Sequence, residues 1–135
     1  MTKILIAAVA AGFALLILSV LGIYATIHLF PGIATEYFDP AYDTQSSRIM
    51  AYYMHPFVIS LALSLFWQRF KAVLNGSFLT RGIEFGLIYV GIATVPMLWL
   101  IYSAMSVSLA VVATWFVLAL CQGLIAGLIF EKINP

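Results

Sequence analysis

The chain has 135 residues, of which 64% are hydrophobic and only 8% charged, with a net charge of +1. Its mean hydropathy is +1.11. A soluble domain carries far more charge on its surface, and a chain this small cannot bury so much apolar area in one globule. The near-neutral balance leaves no basic patch for nucleic acid, and the single cysteine, Cys121, allows no internal disulfide. The class these numbers leave is an all-α integral membrane protein, a single transmembrane domain with the lipid bilayer as its first partner.

A membrane helix needs about 20 apolar residues to cross roughly 30 Å of hydrocarbon. The first such run is Ile4 to Phe30, ended by Pro31-Gly32. Lys3 before it imitates a signal peptide, but the run is too long for one and no small-x-small cleavage site follows, so an uncleaved helix is expected. An outer loop then spans Pro31 to Ser46. The second helix is expected over Ser47 to Leu74, with Asn75-Gly76 as its stop. The third covers Thr80 to Tyr102 and the fourth Ser106 to Phe130. No segment alternates with the period of a barrel strand, and no internal repeat or separate soluble domain is visible.

Lys and Arg near helix ends set orientation. Lys3, Arg69, Lys71, Arg81 and Lys132 fall on one side, and Arg48 alone falls on the other. Both termini are therefore expected in the cytoplasm, with the loop outside. Tyr37, Tyr42, Tyr52, Tyr53 and Tyr102 then lie at the outer interface and Trp67 at the inner one, where amphipathic rings settle.

Two GxxxG strips carry the packing signal: Gly82 with Gly86 at the start of the third helix, and Gly123 with Gly127 near the end of the fourth, extended by Ala119. Small residues four apart let helix backbones approach closely. The two helices run antiparallel through a short turn, so the strips should lie at one depth and pack within the chain; the alternative is an oligomer seam. Gln122, deep in the fourth helix, is expected to hydrogen-bond between helices. Pro56 and Pro96 each remove a helix hydrogen bond, freeing the carbonyls of Tyr52 and Ile92. They sit at comparable depth, either as packed kinks or as the lining of a small cavity that opens outward.

His55 is the leading candidate for chemistry. An ionisable group at membrane depth usually faces the bundle interior or water, and histidine can bind metal or haem or relay protons. Tyr52, one turn before it, joins it as a candidate ligand-binding residue; the bland alternative is a neutral histidine bonded to a helix carbonyl or a tyrosine. His28, at the outer end of the first helix, could join His55 and the loop acids Glu36, Asp39 and Asp43 around a metal, although no H-x-x-x-H or H-E-x-x-H spacing supports this. The loop reads PGIATEYFDPAYDTQSS and does not match an EF-hand. Tyr37 and Tyr42 could offer faces to a cation, while Asp43 or Thr44 could simply cap the second helix. Glu84, one turn inside Arg81, is expected to pair with Arg81, Arg69 or Lys132. No nucleophile elbow, P-loop or dinucleotide fingerprint is present, so a soluble-type enzyme is excluded.

The segments RGIEFGLIYVGIATVP and SVSLAVVATWFVLALCQGLIAGLIFEKINP resemble small uncharacterised bacterial inner-membrane proteins with four helices. The resemblance implies that fold and a multi-pass location in the bacterial inner membrane; it implies no activity. Two functional readings follow. In the first, the chain has no catalysis and no cofactor, and acts as an accessory subunit of a larger membrane complex or as a homo-oligomeric carrier or channel component. In the second, it binds a metal or haem at an outward-facing site built on His55.

Overall fold

A computed structural model describes residues 2–38 and 48–135. Asp39, Asp43, Pro40, Tyr42 and Thr44 lie outside the described residues. Five helices follow one another: α1, Thr2–Leu29; α2, Pro31–Tyr37; α3, Ile49–Phe70; α4, Phe78–Ala104; and α5, Leu109–Ile133. Among the described residues there is no strand. All but α2 are long and apolar enough to cross a membrane. Alternate long helices run in opposite directions, so both described ends of the chain and the α3–α4 connection share one end of the bundle. We call this the terminal end.

Several boundaries differ from the sequence expectation. Pro31 does end α1, but it also begins α2, because proline suits the first helical position, where an N–H would be unpaired anyway. The stretch read as outer loop therefore starts with two helical turns. Helix α3 stops at Phe70 rather than Leu74, and the chain reverses through Gly76, whose φ is +115°, the only positive φ among the described residues. Ser77 then caps α4 by accepting the Thr80 N–H, and Ser108 caps α5 by accepting the Val111 N–H at 3.2 Å.

Helix α4 is not uniform. Residues Val90–Thr94 widen into a π segment, in which the Val95 N–H reaches back five residues to the Val90 carbonyl. Pro96 follows two residues on and can neither donate to Ile92 nor tolerate its carbonyl at normal helical distance. The extra residue in the turn absorbs that conflict, a common use of a π-bulge.

The long helices form a staggered row in the order α3, α1, α5, α4. Small residues allow the close contacts. A Cβ on Gly12 of α1 would lie 2.5 Å from the Phe57 ring and 3.0 Å from Ser60 Oγ of α3. Between α4 and α5, a Cβ on Gly86 would lie 2.7 Å from the Gly123 backbone, and one on Gly127 would overlap the Gly82 carbonyl. The two glycine strips thus face each other inside the protomer. Gln122 Nε2 donates to Ser19 Oγ at 2.9 Å, linking α5 to α1.

At the terminal end the row closes on itself. Trp67 of α3, Phe85 of α4 and Phe130 of α5 are all fully buried there, with Ala7, Ala11 and Leu15 of α1 beneath them. Trp67 meets Phe85 edge to face with centroids 5.1 Å apart, and Phe85 meets Phe130 the same way at 5.9 Å. Such pairs add about 0.5–1.5 kcal/mol each beyond their burial. A smaller cluster of Leu98, Val107 and Val112 sits at the opposite end, beside α2.

Candidate functional site

Among the described residues, His55, His28 and Glu36 do not gather as a metal site would require, and Asp39 and Asp43 lie outside them. His55 and Tyr52 are exposed on the outer face of α3, whereas Ser60 and Ser64, lower on the same helix, are buried against α1. Their hydroxyls donate to the Phe57 and Leu61 carbonyls, so they are satisfied within their own helix. Tyr52 packs edge to face on Tyr53, and His55 makes no hydrogen bond among the described residues. Pro56 is buried and Pro96 is exposed, on helices separated by α1 and α5. His28 stacks on Tyr24 with ring centroids 4.0 Å apart, and its Nδ1 donates to the Tyr24 carbonyl at 2.9 Å, which leaves Nε2 as the outward nitrogen. Among the described residues no group of three or more His, Cys, Asp or Glu side chains gathers as a metal site would require.

Glu36 has a contact of its own within the protomer. Its carboxylate accepts the Ser108 N–H at 2.6 Å, at the start of α5. A carboxylate there also meets the positive end of the helix dipole. One residue on, the Tyr37 hydroxyl bonds Thr114 Oγ1 at 2.9 Å, and its ring meets Trp115 edge to face. These contacts strap α2 across the start of α5 and border a pocket of about 150 Å³ lined by Glu36, Tyr37, Val107, Val111 and Trp115. Burial, and less strongly the neighbouring Tyr52, push the Tyr37 hydroxyl above its ordinary pKa, partly offset by the Thr114 bond.

The densest polar assembly lies at the terminal end. The Arg81 guanidinium donates from Nη1 to Glu131 Oε1 at 2.7 Å and from Nη2 to the Lys71 carbonyl at 3.1 Å. It also lies 5.7 Å from the centroid of the Trp67 ring, within cation–π range. The Trp67 indole N–H donates to the Asn134 carbonyl at 2.8 Å. Lys71 Nζ donates to Asn134 Oδ1 at 3.0 Å and to the Pro135 main-chain oxygen at 2.8 Å, while Asn134 Nδ2 donates to Gln68 Oε1 at 2.7 Å. The ion pair uses one arm only: Arg81 Nε and Glu131 Oε2 are buried without a partner. Chemically this is a fastener. It binds the end of α3, the start of α4 and the end of α5, and its one carboxylate, Glu131, is only 7% exposed.

Glu84 corrects a sequence expectation. Arg81 pairs with Glu131 instead, and among the described residues Glu84 makes no ion pair or hydrogen bond. It is exposed on the outward face of α4, in an open groove of about 680 Å³ lined by Leu79, Thr80, Ile83, Glu84, Leu87 and Ile88. The Arg81–Glu131 pair was missed from the sequence, although a signal was there. Antiparallel neighbours place the first turn of α4 level with the last turn of α5, the same geometry that aligns the glycine strips. No family model, curated protein or solved structure matches the chain.

Proposed function

We propose that the chain is a four-span protein of the bacterial inner membrane and a non-catalytic component of a membrane assembly. It serves either as an accessory subunit or as one protomer of a small oligomeric carrier or channel. Both termini and the α3–α4 connection lie on the cytoplasmic side, because Lys3, Arg69, Lys71, Arg81 and Lys132 all belong to the terminal end. The resemblance to small bacterial four-helix inner-membrane proteins agrees with this placement.

The observation that carries the assembly reading is Glu84. An ionisable side chain on a helix face of this kind is costly in lipid unless a partner or water meets it, and among the described residues of its own chain it has no partner. A neighbouring helix supplies one. The buried polar groups behave differently: Gln122 with Ser19, Arg81 with Glu131, and Trp67 and Lys71 with Asn134 all join helix to helix.

The test uses the full chain expressed in a bacterium. The membranes are washed with alkaline carbonate, then solubilised in mild detergent, and the particle mass is measured. The reading predicts carbonate-resistant protein in a particle heavier than one copy. Extraction by carbonate, or a lone copy in detergent, contradicts it.

A further inference from the structure

Two outward faces of the protomer match each other in charge, shape and depth. On α4, Glu84 stands among Leu79, Ile83 and Leu87, and seven residues further on is Gly91. Seven residues is nearly two full α-helical turns, and only the last step lies within the π segment, so Glu84 and Gly91 share a face. Gly91 is exposed, and a Cβ placed on it would meet nothing within 4 Å. Within the protomer, then, nothing requires a glycine there. On α3, Arg69 stands on a stripe with Leu65, Ala62, Leu61 and Val58, all exposed and all on the side opposite Trp67 and Ser60. Arg69 makes no ion pair or hydrogen bond among the described residues. Ala62, the small residue of this stripe, is also seven residues from its charge.

The depths agree as well. Arg81 Nη2 reaches the Lys71 carbonyl and, one turn deeper, Trp67 meets Phe85 with centroids 5.1 Å apart, so the end of α3 and the start of α4 lie near one level. From that level Glu84 lies three residues inward, about 4.5 Å, and Arg69 two residues inward, about 3 Å, at 1.5 Å per residue. Because α3 and α4 run in opposite directions, Gly91 and Ala62 are then each about 10 Å deeper still, again level with each other. The α4 face thus presents acid then small residue, and the α3 face presents base then small residue, in one register.

We propose that the occupant of the Glu84 groove is a second copy of this chain, docked through its α3 face, with Glu84 of one protomer paired to Arg69 of the next and Gly91 packed against Ala62. This deepens the assembly reading above and rests on it. The two faces belong to different helices, so the contact is heterologous and head-to-tail, the kind that repeats around a ring. A salt bridge shielded by lipid and apolar side chains satisfies both charges at once, and the small residues let the helices close over it.

The experiment counts copies of dye-labelled full-length chain in lipid nanodiscs, using a carbonate-resistant membrane fraction as the source. Wild-type chain gives multi-copy particles. Glu84→Arg alone and Arg69→Glu alone each place like charges across the seam and weaken assembly by about tenfold or more. A mixture of the two single variants restores multi-copy particles, because each interface then joins opposite charges again; a folding defect cannot be repaired that way. Gly91→Leu, whose Cβ meets nothing within 4 Å in its own protomer, also reduces assembly. Single-copy wild type, single variants that assemble normally, or a mixture that stays apart overturns the proposal. Should the chain resist carbonate but co-purify only with another protein, this inference fails while the assembly reading stands. Should carbonate extract it, both fail.

Discussion

The Arg81 guanidinium and the Glu131 carboxylate meet at 2.7 Å, joining the first turn of α4 to the last turn of α5. Glu131 is only 7% exposed and Arg81 19%. Deleting one partner of a buried pair strands the other charge, at a cost of about 3–5 kcal/mol. Glu131→Ala should therefore lower stability by about 3 kcal/mol, measured by reversible unfolding in mixed detergent. Arg81→Met combined with Glu131→Leu should recover most of that loss, since replacing both charges by apolar groups removes the desolvation cost. A single variant as stable as the parent chain contradicts this.

Two glycines should respond in opposite ways to one added methyl group. Gly127→Ala drives a Cβ into the Gly82 carbonyl, and with backbone on both sides there is no side chain to move away. Overpacking of this kind costs about 1–3 kcal/mol. Gly91→Ala meets open space and should be neutral or stabilising by up to about 1 kcal/mol, the helix-propensity difference. The same unfolding measurement ranks the pair. A reversed order shows that the glycine strips do not face each other.

The α2 strap should loosen at high pH. Burial raises the Tyr37 pKa, so the folded form holds the phenolic proton more tightly than the unfolded one. Its contribution is complete below the ordinary tyrosine pKa of 10.0 and is lost as pH climbs through the raised value. Proteolysis within 39–47 should accelerate above that pH in the parent chain. Tyr37→Phe should lose about 1 kcal/mol of docking through the missing Thr114 bond and show no such alkaline step. An identical pH profile in both proteins rules the strap out.

His55 and Ser19 give a contrast between an exposed and a bonded polar group. His55→Ala should change stability by less than about 0.5 kcal/mol, as expected of a surface site without partners. Ser19→Ala removes the acceptor of Gln122 and should cost about 0.6 kcal/mol, the mean for such bonds between membrane helices. A clear loss at His55 with none at Ser19 contradicts these placements.

The four long helices were legible because apolar run length is a strong local signal, and the turn at Gly76 because only glycine adopts that φ without strain. Helix α2 was not, since seven residues beginning with proline look like a loop until α5 provides Ser108 and Thr114 to dock against. The π segment was invisible because Val90–Thr94 carries no composition of its own; its cause is Pro96, two residues beyond. His55 was singled out for its chemistry, yet the helical phase places it outward, opposite Ser60 and Trp67. That phase could have been taken from the sequence by noting that Ser60, Ser64 and Trp67 share one stripe. The Arg81–Glu131 pair needed the pairing of α4 with α5, which the glycine strips already suggested.

Placement in the membrane is the claim on which the functional account depends, and reporter fusions test it most directly. A reporter active only in the cytoplasm and one active only after export are fused after Pro135, inserted at Gly76, and inserted within 39–47. The account predicts cytoplasmic activity at Pro135 and Gly76 and exported activity within 39–47. The opposite pattern, or cytoplasmic activity at all three sites, contradicts it.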